Sequence, residues 1–377
     1  MTKQTARLSD LVIQAVALPA VPAAAVDAYR SLMHPLVVEV TQGLASHPRY
    51  TEFLGGNPPS LLADNHRHHA QFIEEILSSG RYDLLAVTLP WVYHAYHARG
   101  VHYDYFPAEL ALWRRAIAKA LPATAEPINL IYDWMLEHHD QVVQLAEQRA
   151  ARQPTVAPAV AELFEGLSNA LLEGDDARVL ALCRDARDGG ASLPELLRQL
   201  IYPALQRVGD LWEDGRISVA DEHQATAIVN RVLAALYYEE AFPDVARGRA
   251  LVAASVNQFH EIGAWMVATC LELDGWDVDY LGANVPTDAL LDKARQIQPD
   301  LIALSISMAF GLRETRALIA ALREQLPGVK ILIGGQVFQW LPTLADDMGA
   351  DGCQSDCDAA VRWAREHCDA ARSHAPG

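Results

Sequence analysis

The sequence predicts an α plus α/β protein, with helices alone through residue 245 and strands alternating with helices from 248 to 370. Three observations carry that prediction. Through residue 245 the apolar residues recur at helical spacing, with no sustained alternation of period two. From Arg249 onward, short apolar runs (Arg249–Ser255, Asp277–Gly282, Leu301–Ser307, Val329–Gly335) are separated by helix-periodic stretches, the alternation of a doubly wound parallel sheet. Proline and glycine gather at the borders of these stretches and mark where each element stops.

The first 152 residues form one helical domain of globin size, broken at Pro19, Pro22, Pro48, Gly55 to Pro59, Gly80, Gly100 and Pro122 into about six helices. Ten of the chain's 14 histidines lie here. His66, His68 and His69 stand in a polar run and are expected at a solvated helix start. The stretch from Trp91 to Phe106 is different. On a helix, His94 and His97 share a face with Trp91 one turn earlier, and Tyr93, Tyr103, Asp104 and Tyr105 follow close by. Aromatic rings supply stacking area and imidazoles supply hydrogen bonds, so these residues suit a flat, conjugated, partly polar ligand; core packing is the alternative. None of the five cysteines (Cys183, Cys270, Cys353, Cys357, Cys368) precedes residue 183, so no ligand of this third is attached through a thiol.

After a linker, Gln153 to Pro158, residues 158–245 divide at Gly174, Gly189-Gly190 and Gly215 into a four-helix bundle. Ser192-Leu193-Pro194-Glu195 carries the pattern of a capping box. Trp212 is followed, on the next predicted helix, by the pair Glu222-His223.

The third domain, residues 248–370, offers its chemistry where the strands end. Gln258-Phe259-His260-Glu261-Ile262-Gly263 follows the first strand, Ser305-Ile306-Ser307 ends the third and Gly334-Gly335 the fourth. A histidine there reads as a metal ligand at the carboxyl edge of the sheet, where open α/β folds bind. Cys353 and Cys357 are three residues apart and read as structural, outside zinc-finger spacing.

The series His-x-x-Gly, Ser-x-Ser, Gly-Gly resembles the cobalamin-binding domain of methionine synthase and the corrinoid proteins. The resemblance implies a Rossmann-like domain in which His260 is the lower axial ligand of cobalt. It implies too that Ser305 and Ser307 lie beside the buried nucleotide tail, that Gly263, Gly334 and Gly335 admit close backbone approach, and that Gly282 borders the corrin. The family carries an acid two residues before the histidine. Gln258 stands there in this chain; it is expected to accept the second ring N–H without a carboxylate's charge, leaving His260 a weaker donor.

The bundle ahead of this domain resembles the cap over the upper corrin face, and Trp212 with Glu222-His223 resembles the light-sensing cobalamin regulators, in which the tryptophan packs over the upper axial group. Those regulators tend to place a histidine directly after the tryptophan; here it is Glu213, which leaves His223 as the nearest substitute. With the helical third, the arrangement resembles the photocobilins. That implies a photoreceptor and not an enzyme, with adenosylcobalamin between bundle and Rossmann-like domain and a noncovalent bilin, biliverdin, in a globin-like domain near Trp91, Tyr93, His94, His97, Tyr103, Asp104 and Tyr105. A corrinoid methyl carrier of a methyltransferase system is the alternative, and a haem-based sensor the third reading.

The formal net charge of −18 argues against a nucleic-acid partner. No apolar run is long enough to span a membrane, and Met1 to Thr5 opens no signal-like segment, so a cytoplasmic protein is expected. Its expected partners are the two chromophores, a second copy of the chain and a downstream protein.

Overall fold

Proline and glycine close the helices of the N-terminal third close to where the sequence places them. The computed structural model describes residues 6–149 and 156–372; Met1 to Thr5 and the linker residues Gln153, Pro154 and Thr155 lie outside that range. Among the described residues the helices are α1 Leu8–Val16, α2 Ala23–Ala45, α3 Tyr50–Leu54, α4 Pro59–Ser79, α5 Tyr82–His97, α6 Tyr105–Ala120, α7 Ala125–Glu137 and α8 His139–Glu147. Gly55 and Gly80 end α3 and α4 in the left-handed conformation, and Pro59 opens α4 at a position whose N–H has no helical partner. Two prolines do not break their helices. Pro35 and Pro90 sit inside α2 and α5, and the short helices α3 and α8 bring the count among the described residues to eight where about six were expected.

The polar run of α4 is not a solvated helix start. The helix begins at Pro59, one and a half turns earlier, so Asp64 to His69 lies within its body. His68 stays exposed, whereas His66 is fully buried and His69 is drawn in beside it. The Thr41 hydroxyl donates to the Val37 carbonyl, 2.7 Å away, and therefore accepts from His66 Nδ1 at 2.8 Å. That leaves His66 Nε2 to accept from the Tyr105 hydroxyl at 3.2 Å. His69 meets the Tyr132 hydroxyl at 3.2 Å and stacks on Trp113, whose indole N–H donates to the buried Glu109 at 3.1 Å. The core of this unit is thus polar in part, with partners drawn from α2, α4, α6 and α7.

The second half follows the predicted order. The bundle comprises α9 Ala161–Glu173, α10 Asp176–Asp188, α11 Leu193–Leu196, which runs through a π-helical turn at Leu197–Ile201 into α12 Tyr202–Glu213, and α13 Val219–Tyr238. Ser192 and Glu195 form the expected capping box, and Ser218 and Asp221 form a second one that opens α13. The sheet has strands β1 Arg249–Ala254, β2 Asp277–Tyr280, β3 Leu301–Ser305, β4 Lys330–Gly334 and β5 Gly352–Gln354. They run in parallel in the order β2-β1-β3-β4-β5. Helices α14 Ile262–Leu273, α15 Thr287–Ile297, α16 Leu312–Gln325, α17 Gln336–Trp340 and α18 Cys357–Arg372 complete the fold. The short β5 has no apolar run to announce it.

The chain divides into two compact units, Met1–Arg152 with Glu213–Arg216, and Gln153–Trp212 with Ile217–Gly377. Within the second unit, bundle and sheet domain share a core: Met266 and Cys270 of α14 and Cys357 of α18 pack among bundle residues such as Leu197, Leu200 and Val229.

Burial holds His66 near a pKa of about 4 and His69 near about 3, both below 6.5, and raises Glu109 to about 7. As pH falls from about 6.5 toward 4, the unfolded chain takes up protons that the two folded histidines refuse, and stability is lost across that window. Glu109 acts oppositely, since its buried carboxyl destabilises as pH rises from about 4.5 to 7, but one group opposes two. Urea unfolding of the full chain should therefore show a loss on the order of 3 kcal/mol between pH 7 and pH 4, and His69→Phe should shrink it. A midpoint unchanged across the range would mean that the histidines are solvated after all.

Candidate functional site

In a parallel sheet ordered β2-β1-β3-β4-β5 the strand order reverses between β1 and β3, and the crevice beyond their carboxyl ends is the place for a ligand. Two of the three expected motifs, the one bearing His260 and the one bearing Ser305 and Ser307, follow the strands that flank it. Ala254 pairs with Ser305 in register, Ser305 with Gly334, and the Gly282 carbonyl accepts from Ala254 N at 2.9 Å. The residues expected from the sequence at the ends of four strands are therefore brought to one edge.

His260 follows β1 by a loop whose geometry is set by two asparagines. Asn257 and Asn284 both have positive φ, 59° and 50°, a conformation asparagine tolerates better than most residues. The Asn284 side chain accepts from Asn257 N at 2.9 Å, and Asn284 N donates to the Gln258 carbonyl at 2.9 Å. Sequence reasoning did not count Asn284 in the site. Its one signal is an asparagine directly after a strand and its glycine turn.

Gln258 is where expectation and structure part. Its side chain is fully buried and does not hold the His260 ring. Its amide N–H groups donate to the carbonyls of Met308 at 3.1 Å and Phe310 at 2.5 Å, and its amide oxygen accepts from Ser307 N and Met308 N, both at 2.9 Å. Two donors and two acceptor positions are all an amide has, and all are spent on the loop after β3. Only glutamine or asparagine chemistry satisfies carbonyls and N–H groups at once; a carboxylate has no donor.

His260 itself is exposed at the crevice, as is Phe259 beside it. Surrounding protein lowers the imidazole pKa by desolvation, Glu222 on α13 raises it, and His223 lowers it again. Glu222 and His223 of the bundle act on His260 in opposite senses, and partial desolvation by the surrounding protein favours the neutral ring although the residue keeps an exposed side. The Glu222 carboxylate accepts from the Thr226 hydroxyl at 3.0 Å and pairs with His223 Nδ1. Trp212 lies in the last turn of α12, half-buried. The hydroxyls of Ser305 and Ser307, both half-buried, have no hydrogen-bond partner among the described residues. Gly335, at φ 122°, lies so close to the Ile306 carbonyl that a Cβ would stand 2.1 Å from its oxygen, so the Gly-Gly pair is required by the chain's own backbone before any ligand is considered.

The aromatic stretch of the helical unit is more dispersed than its sequence suggests. Tyr93 is buried, stacks on Phe106 at 3.6 Å between ring centroids and hydrogen-bonds through its hydroxyl with His139 Nδ1 at 3.2 Å. His97 stacks on Tyr103 at 4.0 Å and donates to the Val101 carbonyl. Asp104 pairs with Arg49 at 2.8 Å, and Tyr105 points the other way, to His66. His94 Nε2 meets Asp214 at 2.8 Å, in the segment Glu213–Arg216 that belongs to this unit; Arg149 pairs with Glu213 there. Trp91 is half-buried on the same helix. A cleft of about 330 Å³ in this unit is lined instead by His47, Ala108, Leu112, Arg115 and Leu136, none of them expected. Among the described residues no helix is long and apolar enough to cross a membrane.

Gln258→Glu should lower stability by about 3 kcal/mol, because it removes both donors to the Met308 and Phe310 carbonyls and sets a charge against them. Thermal unfolding of the full chain, with hydrogen exchange of residues 306–311, checks this. Unchanged melting with slowed exchange in that loop would contradict the bracing role.

Comparison with known proteins places this site in context. Two families, each described as a B12 binding domain, match residues 248–362 and 163–237. The dimethylamine corrinoid protein of Methanosarcina barkeri is 28% identical over 213 residues, which are 54% of this chain and 97% of that protein. The HTH-type transcriptional repressor CarA of Myxococcus xanthus is 31% identical over 237 residues, 62% of this chain and 78% of that protein. The solved structure of the monomethylamine corrinoid protein of M. barkeri aligns with a TM-score of 0.48 at 22% identity, covering 55% of this chain and 99% of that one.

Proposed function

The chain belongs to the family of B12-binding proteins that includes the repressor CarA, and from that premise we propose that it holds cobalamin between its bundle and the carboxyl edge of its sheet, with His260 as the lower ligand of cobalt. The observation that carries the proposal is that the end of β1 ahead of His260, Ser305 at the end of β3 and Gly334 at the end of β4 lie in register at one edge of the sheet, in a chain whose bundle and sheet each match a B12 binding domain. The residues fit the group. A neutral imidazole is the form that donates to a metal, the Ser305 and Ser307 hydroxyls are available to a polar tail, and Gly334-Gly335 presents backbone without side chain. With Gln258 engaged elsewhere, His260 binds without a charged partner behind it.

Cobalamin supplies a cobalt–carbon bond, which methyl carriers use for group transfer and which light cleaves in the adenosyl form. The relatives support the first use: the dimethylamine corrinoid protein is covered along nearly its whole length, and a carrier of this kind would present methyl groups to separate methyltransferases. One structural observation favours the second use, a light sensor loaded with adenosylcobalamin. The residues directly after Trp212 are built into the N-terminal helical unit through His94–Asp214 and Arg149–Glu213, so a shift of α12 at Trp212 would pull on that unit. In that second reading a noncovalent biliverdin lies against the stacked rings of Tyr93, Phe106, His97 and Tyr103, and the signal passes to a second copy of the chain or a partner protein.

Absorption spectra of the full chain, loaded in the dark with methyl- or adenosylcobalamin with and without biliverdin, separate these readings. Both require corrin uptake and a spectrum that His260→Ala changes; equal spectra for wild type and His260→Ala would sink the assigned ligand. The sensor requires a bilin band and a light-induced corrin change that Trp212→Ala abolishes. The carrier requires methyl uptake from a donor methyltransferase and no response to biliverdin.

A further inference from the structure

The motifs of the crevice leave out a cluster of side chains able to ligate a metal, set where sheet and bundle share their core. Cys270 lies on α14, Cys357 is the first residue of α18 and Asp358 the second. Their ligand atoms all lie within 4.8 Å of one another. Both thiols are buried, at 4% and 3% exposure, among bundle residues. Asp358 is about one-third exposed and accepts from Arg198 Nε, in the π turn of the bundle, at 2.8 Å.

We propose that Cys270, Cys357 and Asp358 form a structural site for a soft divalent cation, zinc in the first instance, which staples α14, α18 and the bundle together. Two sulfurs and an oxygen suit zinc, whose bonds of about 2.3 Å to sulfur would hold two thiolates about 3.8 Å apart, within the span observed; water at the exposed side of Asp358 completes a tetrahedron. Charge supports the assignment. Two thiolates and a carboxylate carry three negative charges, zinc cancels two, and the Arg198 guanidinium stands by for the third. In the balanced step two S–H bonds break, two protons pass to solvent and two Zn–S bonds form.

The competing use of a buried thiol pair is a disulfide, formed by a hydroperoxide through attack of a thiolate. The third donor decides between the two uses: Asp358 places a carboxylate oxygen beside both thiols, which a disulfide would leave unused and a cation takes up. Magnesium and calcium prefer all-oxygen sites, so the donor set also selects the metal.

The full chain, incubated with zinc and dialysed, should retain about one zinc per chain by elemental mass spectrometry, release about two protons per zinc bound, and retain none with magnesium. Cys270→Ser and Cys357→Ser should each lower retained zinc at least tenfold. Should those variants fail to fold, Asp358→Asn, at a partly exposed position, should still weaken zinc about tenfold against a competing chelator. Zinc retained equally by wild type and all three variants, no retention by the folded wild type, or loss of two hydrogens from the Cys270 and Cys357 pair on hydroperoxide treatment without zinc uptake would each overturn the proposal.

Discussion

The crevice where the strand order reverses is held in shape by one buried amide. Loops at the ends of β1 and β3 have backbone groups that no strand can satisfy, and burying them unpaired would cost on the order of 1–3 kcal/mol each. Gln258 answers four of these groups from one side chain, two carbonyls and two N–H groups of residues 307–310. His260, two residues later, is thereby carried on a loop tied to the neighbouring strand, and its position follows from the amide's. The same tie explains why a residue expected to serve the histidine serves the scaffold: an amide has no hydrogen-bonding capacity left once four partners are met.

Much of this was legible beforehand, for physical reasons. Apolar periodicity separates buried helix faces from buried strands, so the order of elements and four strands could be read directly. Motifs at strand ends converge because parallel strands all point their carboxyl ends to one edge. What sequence could not give depends on partners distant in the chain. Gln258 finds its carbonyls 50 and 52 residues away, and nothing local distinguishes a brace from a ligand's partner. His66 and His69 look solvated beside Asp64, Asn65 and Arg67, yet helical phase turns two of the run's three histidines inward. Cys270 and Cys357 are separated by 87 residues, show no motif spacing, and meet only because α14 and α18 pack side by side. β5 is three residues long and only half-buried, too brief for a pattern.

The helical unit holds the more unusual core. A buried network of His66, Tyr105, His69, Tyr132, Glu109 and Trp113 sets polar groups among aromatic ones, and each hydrogen bond fixes the angle of a ring as well as its position. Such a core is more particular than an oily one. It tolerates few exchanges of residue type, since losing any one partner strands another in a medium without water. The chain passes between the two units three times, once at the linker and once on either side of Glu213–Arg216.

The π turn at Leu197–Ile201 has a consequence for the chain's history and its redesign. A π turn is one residue longer than the α turn it replaces, and one residue is about 100° of helical rotation. Every side chain of α12 downstream of it, Trp212 included, owes its azimuth to that single inserted position. Removing one residue there would leave the helix intact and its composition almost unaltered while swinging the tryptophan a quarter turn around the axis. In this bundle, length at one position is as strong a determinant of which way α12 turns each side chain as the identity of any residue within it.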